Sequence, residues 1–169
     1  MSVLCAAFCV PLLIQQNVDG SNFFNRSWAE FKVGFKDSRG NYWLGNEPLH
    51  QLTVNGRYKL RVDLHNTRGS WYWAEYRGVA VLSEANGYKL MVSGYTGDCS
   101  DELSSQGAMD FTTYDRDNDW WIEGNCAVWN GGGFWYKSCG DANVNTIRNR
   151  GNGFKWYYNL LSIRMMLMC

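Results

Sequence analysis

The chain has 169 residues, 46% of them hydrophobic and 16% aromatic, with 9 Trp and 10 Tyr, which is apolar area enough for one sizeable core and excludes a disordered segment. Lys+Arg and Asp+Glu both number 16, so no net field draws the chain to nucleic acid or an anionic membrane, and no apolar run reaches the ~20 residues of a membrane-spanning helix. Six cysteines lack the paired C-x-x-C spacing of a zinc site; an even count in a Trp- and Gly-rich chain fits an oxidising compartment.

Taken in chain order, residues 1–14, MSVLCAAFCVPLLI, form an apolar run of signal-peptide length with small residues at Ala6 and Ala7 but no basic residue before Arg26. Two readings stay open, a secretory segment or a buried first strand. Asn25-Arg26-Ser27 is an N-x-S sequon, which makes Asn25 a candidate glycosylation site. Ser27 and Glu30 have capping-box spacing, and Trp28, Phe31 and Phe35 recur at i, i+3 and i+7, so a short helix with an aromatic inner face is predicted. Asn46 is a candidate cap for a second helix, with Pro48 in its first turn and Leu49 and Leu52 turned inward.

From Arg57 the period changes to two. In residues 57–64, RYKLRVDL, Tyr58, Leu60, Val62 and Leu64 alternate with charged residues, which predicts a half-buried strand. A turn at 66–70 leads into WYWAEYRGVAV (71–81), with Tyr72, Ala74 and Tyr76 on one face; after the turn at 84–87, YKLMVSGY (88–95) alternates again. Three consecutive strands therefore predict an antiparallel meander with the two helices as covers. Beyond Gly94 the periodicity fades, and residues 95–169 are rich in Gly, Asn, Asp and Trp, the composition of long ordered loops that need an ion or a disulfide to hold them. No internal repeat of 20–50 residues occurs.

Chemistry concentrates in residues 115–139. Asp115, Asp117 and Asp119 alternate as D-x-D-x-D, which gathers hard carboxylate oxygens and suits calcium; the alternative is a solvated acidic turn. An EF-hand is excluded, because its sixth and twelfth positions require Gly and Glu and here hold Trp120 and Cys126. Cys126 and Cys139 enclose twelve residues containing Gly131, Gly132 and Gly133; they are either a disulfide worth about 3 kcal/mol or two free thiols. Trp129, Phe134, Trp135 and Tyr136 would serve either as a stacking surface for a ligand or as core. His50 and His65 are isolated and neither G-x-S-x-G nor H-E-x-x-H occurs, so no enzyme is expected.

Five ordered blocks carry a resemblance: VDGSNFFNRSWAEFKVGF (18–35), NYWLGNEPLHQLT (41–53), YKLRVDL (58–64), YKLMVSGYTGD (88–98) and DRDNDWWIEGNCAVWNGGGFWYKSC (115–139). In these the chain is similar to the fibrinogen C-terminal domain family of fibrinogen chains, ficolins, tachylectins, tenascins and angiopoietins, and within it most resembles the ficolin and tachylectin members. The resemblance implies an α+β fold over residues 12–169, with a central antiparallel sheet, short covering helices and a loop-rich calcium-binding subdomain. Residues 1–11 stand apart as a divergent N-terminal segment. It also implies calcium on the side chains of Asp117 and Asp119 with backbone carbonyls near Ile122 and Gly124, and Cys126 paired with Cys139 as the family's second disulfide. Asn143-Val144-Asn145 resembles the family's Asn-Leu-Asn motif, with a structural role. By the same resemblance an acetyl-group pocket would draw on Asn130, Ser138, Cys139 and Gly140, with Tyr157 and Tyr158 as walls.

The departures are local. Gly140 stands where the ficolin-like pocket has a His after the second cysteine, the run Trp120 to Glu123 is one residue longer, and the segment after Trp156 is shorter before the terminal strand LLSIRMMLM. Cys5, Cys9, Cys99 and Cys169 receive no partner from the resemblance. The implied function is a secreted, calcium-stabilised module of the innate-immune recognition type that binds glycans or acetylated groups. The alternative is a module for a receptor or extracellular-matrix protein. Relatives multimerise through collagen-like or coiled-coil segments, and the sequence contains neither, so an oligomer would draw on elements elsewhere.

Overall fold

The computed structural model describes residues 10–106, 108–140 and 142–169. Cys5, Cys9 and most of the apolar N-terminal run lie outside the described residues.

The sheet is antiparallel throughout. Its strands are β1 (Leu12–Asn17), β2 (Phe35–Lys36), β3 (Tyr42–Trp43), β4 (Lys59–Asn66), β5 (Trp71–Val81) and β6 (Leu90–Gly97), with the two-residue strands β7 (Ala142–Asn143) and β8 (Lys155–Trp156) and the long C-terminal β9 (Tyr158–Met168). The order is β2-β3-β1-β9-β4-β5-β6, so the meander β4-β5-β6 forms as the alternation predicts, while β9 inserts between β1 and β4 and is the centre of the sheet. Strand β9 changes phase along its length. Leu160 is buried opposite Asn66, a register shift follows, and Ile163, Met165 and Leu167 then alternate inward against Leu64, Val62 and Leu60. Each such side chain contributes roughly 1.5–3 kcal/mol by leaving water.

Helix α1 (Trp28–Val33) closes its N-terminus with the predicted capping box: Ser27 Oγ accepts Glu30 N–H, and the Glu30 carboxylate accepts Ser27 N–H at 2.9 Å. Phe35 is not on this helix, because the polypeptide turns at Gly34 into β2; its ring still meets Phe31 at 5.0 Å. Helix α2 (Asn46–Thr53) is capped by Gly45 and not by Asn46, which is the first helical residue, is buried, and leaves its amide atoms without protein partners. The third strand begins at Leu90 rather than Tyr88. Tyr88 has φ +48, its hydroxyl donates to Glu47, and burial raises the pKa of that hydroxyl.

Between helices and sheet lies an aromatic cluster. Trp43 and Phe111 each meet Phe31 and Trp135, and one another, in tilted or edge-on contacts with ring centroids 5.0–5.8 Å apart, and the indole N–H groups of Trp43 and Trp135 donate to the carbonyls of Phe31 and Tyr88, which lets such large side chains be buried without an orphaned donor. Of the remaining cysteines, Cys169 is disulfide-bonded. Cys99 is a free, half-buried thiol that burial pushes up to about 11, so it stays protonated and unreactive at neutral pH.

Candidate functional site

The acidic turn and the cysteine loop form one structure. Asp115 is turned away from the other two aspartates: its Oδ1 accepts Trp28 N–H at 2.9 Å and the Thr113 hydroxyl at 2.7 Å, closing the start of α1. Asp119 Oδ1 accepts Trp121 N–H and Oδ2 accepts Cys126 N–H, each at 2.8 Å, while Asp117 Oδ1 accepts Asp119 N–H at 3.2 Å. Burial, reinforced by the neighbouring Asp117 charge and only partly offset by the two N–H bonds, raises the Asp119 pKa. No ion pair among the described residues neutralises Asp117 or Asp119, and no described hydrogen bond ends on the carbonyl of Ile122 or Gly124. Among the described residues no three or more His, Cys, Asp or Glu side chains converge as a metal cage, so a cation here would lean on two carboxylates and backbone oxygen.

Cys126 and Cys139 are disulfide-bonded, with Cα atoms 5.0 Å apart. Cys126 opens the short helix α3 (Cys126–Asn130), whose cap Asn125 accepts Val128 N–H at 2.9 Å. The following glycines let the loop press on its neighbours: a Cβ on Gly132 would stand 1.7 Å from the Asn145 carbonyl. The role expected of Asn143 and Asn145 is what they perform. Both are buried; Asn145 Nδ2 donates to Gly133 O at 2.9 Å and Asn143 Nδ2 to Gly140 O at 2.5 Å.

The acetyl-pocket set is not brought together. Asn130 is fully buried, its Nδ2 donating to Asn143 and its Oδ1 accepting Asn152 N–H, so it holds backbone and cannot meet a ligand. Cys139 is buried in the disulfide, while Ser138 is exposed and Gly140 half-buried. Tyr157 and Tyr158 line a groove of about 570 Å3 with Asn66, Arg68 and Tyr72, to which Ser138, Cys139 and Gly140 do not contribute.

The aromatics divide cleanly. Phe134, Trp135 and Tyr136 are core, whereas Trp129 is 50% exposed, Trp120 61% and Ile122 100%. Trp121 meets Trp129 edge-on at 6.0 Å and covers Gly124 so closely that a Cβ there would lie 2.7 Å from its ring. Lys137 sits over Trp120 at 5.1 Å. The exposed rim around Trp120 and Trp129 was hidden in the sequence, because core and surface tryptophans look alike in a loop without periodicity. Asn25, in the sequon, is exposed. His50 Nδ1 contacts the Val81 carbonyl at 2.8 Å and His65 stacks on Trp71, both structural arrangements. No helix among the described residues is long and apolar enough to cross a membrane.

The family model for the C-terminal globular domain of the fibrinogen beta and gamma chains matches residues 10–163. The fibrinogen alpha chain of Rattus norvegicus is 41% identical over 191 residues, covering 92% of this chain and 24% of that one. Microfibril-associated glycoprotein 4 of Homo sapiens is 36% identical, with 92% of this chain and 68% of that protein covered. The chain thus spans about a quarter of the fibrinogen alpha chains it matches. An alignment of 191 residues is longer than the chain's own 169, so that relative carries segments absent here. Among solved structures, the fibrinogen-like globe domain of human ANGPTL2 superposes with TM-score 0.83 at 36% identity over 92% of this chain and 78% of that one. Lamprey fibrin D-dimer, complexed with the peptide Gly-His-Arg-Pro-amide, gives TM-score 0.76 at 28% identity over 92% and 60%.

Proposed function

Because the protein belongs to the family defined by the C-terminal globular domain of the fibrinogen beta and gamma chains, whose members are non-enzymatic binding modules, we propose that it is a secreted recognition domain that binds glycans or acetylated groups through the rim of loop 120–129. The observation that carries this reading is the exposed pair Trp120 and Trp129 on a loop fixed by the Cys126–Cys139 disulfide and the Asp119 clamp. A loop already ordered loses little entropy on binding, so a shallow aromatic surface can suffice.

Calcium belongs to the same proposal. Asp117 and Asp119 carry adjacent uncompensated charge, the Asp119 pKa is raised, and the carbonyls of Ile122 and Gly124 are not engaged by the described hydrogen bonds, features that suit a hard divalent cation. Bound there, the ion would supply the positive charge that the turn lacks and fix the base of the tryptophan rim.

A second reading, a receptor or matrix protein as partner, is favoured by Ile122 and Val128. Both are exposed aliphatic side chains on the same rim, suited to a protein interface more than to a sugar. That the lamprey homologue holds a peptide supports this reading. A glycan array with and without chelator, run on the native protein and on Trp129→Ala, decides. Chelator-sensitive binding lost in the variant supports the lectin. A blank array with chelator-sensitive binding of Gly-His-Arg-Pro-amide supports the protein reading, and binding indifferent to Trp129 overturns the assignment to this rim.

A further inference from the structure

The groove beside Tyr157 is separate from the tryptophan rim and is a built site in its own right. Its volume is about 570 Å3, within the range of small-ligand sites. One side is the β4–β5 turn, where Asn66 Oδ1 accepts the N–H groups of Arg68 at 3.0 Å and Ser70 at 2.9 Å. Thr67 N–H donates to Asn159 O at 3.1 Å and so ties that turn to the other side. The turn is therefore fixed before anything binds.

The opposite wall is tyrosine. The Tyr72 and Tyr158 rings lie 5.0 Å apart, and Tyr157 stands edge-on to Tyr158 at 6.4 Å. Tyr157 has φ +58 and is 68% exposed. A non-glycine residue held in the left-handed region is one of the places where binding sites store strain, and here that conformation sets the ring at the groove's mouth. The Tyr158 hydroxyl is turned inward beside Cys99, so its ring acts as a wall and not as a donor.

The chemistry of the lining selects the ligand. Arg68 is the only charged lining residue, is exposed, and makes no ion pair among the described residues. The rest of the lining is hydroxyl, amide and aromatic, with no Leu, Ile, Val or Met to receive an apolar peptide anchor. Aromatic faces with hydrogen-bonding groups fit a sugar ring, and a lone guanidinium fits a carboxylate or sulfate. We propose that this groove binds an acidic saccharide, with its anionic group paired to Arg68 and a sugar ring stacked on Tyr157.

Binding of four immobilised probes to the native protein tests this: a chondroitin sulfate oligosaccharide, an unsulfated hyaluronan oligosaccharide, a neutral chitooligosaccharide and a sulfotyrosine peptide. At least one acidic saccharide should bind in preference to the neutral one, with chelator present as well as absent; hyaluronan binding shows that carboxylate suffices, and chondroitin sulfate alone assigns sulfate. Arg68→Gln and Tyr157→Ala should each weaken that binding about tenfold. Arg57→Gln, an exposed cation outside the groove, and Trp129→Ala should leave it unchanged. Arg68→Gln lies in an exposed turn, so a folding failure of Tyr157→Ala would not spoil the test. The proposal is overturned if no acidic probe binds, if Arg57→Gln and Arg68→Gln weaken binding equally, if binding disappears with Trp129→Ala while the groove variants retain it, or if only a sulfotyrosine peptide binds. The tryptophan-rim reading is independent of each of these outcomes except the loss in Trp129→Ala, which would favour it.

Discussion

Asp119 accepts the backbone N–H of Cys126 at 2.8 Å, so the last acidic residue of the turn is bonded to the first residue of the disulfide loop. A cation gained by the turn is thereby felt by the loop that carries the tryptophans. Calcium at about 100 times its dissociation constant should stabilise the fold by about 2.7 kcal/mol, a rise in Tm on the order of 5–10 °C for a chain of this size. Asp117→Asn should abolish most of that rise. Asp115→Asn should lower Tm in the absence of calcium, because its carboxylate serves Trp28 and Thr113, yet keep the calcium increment. Differential scanning calorimetry with calcium and with chelator gives both numbers, and an increment that survives Asp117→Asn would remove the ion from this turn.

The raised pKa of Asp119 sets the pH dependence. Burial, the largest cause, and the neighbouring Asp117 both favour its protonated form in the folded protein. Without an ion, this group makes the folded state less favourable as pH rises through its folded pKa. The sign is opposite for Glu30 and Glu84. Their carboxylates are held low by the Ser27 backbone N–H and by Lys32 respectively, and their stabilisation, present above the ordinary Glu range, is lost as pH falls through the lowered values. Calcium competes with the proton on Asp119, so log Kd for calcium should bend at a pH above the ordinary 3.8 of Asp. Calorimetric titrations across the acid range check this, and a bend at or below 3.8 would contradict it.

Much of this arrangement could be read from the sequence where a local rule was at work. Ser27 and Glu30 are three apart and form the cap; Leu60, Val62 and Leu64 alternate and face inward. The Cys126–Cys139 pairing and the structural use of Asn143 and Asn145 came from the family resemblance and not from a local rule. What stayed hidden depends on tertiary placement. Nothing in LLSIRMMLM states that β9 lies between β1 and β4, because strand order is decided by long-range pairing and not by periodicity. Asn130 enters the pocket set only through the family resemblance; its amide instead bridges Asn143 and Asn152. That Tyr157 and Tyr158 share a groove with Asn66 and Tyr72 is visible only in the fold, because the two segments are far apart in sequence.

Removing the disulfide should separate the fold from the site. Cys126 and Cys139 are 13 residues apart in sequence, for which loop-closure entropy predicts about 3 kcal/mol of stabilisation. Cys126→Ser with Cys139→Ser should cost that amount in urea denaturation, with a lower midpoint. The sheet, none of whose strands lies between the two cysteines, should remain. Because the Cys126 N–H is bonded to Asp119, loosening α3 should also weaken calcium binding. A double variant with unchanged calcium affinity would show that the turn is ordered independently of the disulfide.

Gly132 gives the sharpest test of how the loop is packed. A Cβ at this position would stand 1.7 Å from the carbonyl oxygen of Asn145 and 2.8 Å from its carbon, both backbone atoms. Backbone cannot swing aside as flexible side chains do, so Gly132→Ala must move either the loop or the Asn145 segment. Asn145 in turn donates to Gly133 O and accepts from Gln15 on β1, and the Gly132 carbonyl accepts the Tyr136 hydroxyl at 2.8 Å, so a shift in either direction disturbs buried hydrogen bonds. Leaving such groups unpaired costs about 1–3 kcal/mol each, and Gly132→Ala should therefore destabilise by more than about 3 kcal/mol. Trp129→Ala, three residues earlier but half exposed, should cost clearly less. Chemical denaturation of the two variants compares them directly, and near-native stability of Gly132→Ala would mean that the loop does not lie against Asn145 as closely as it does here.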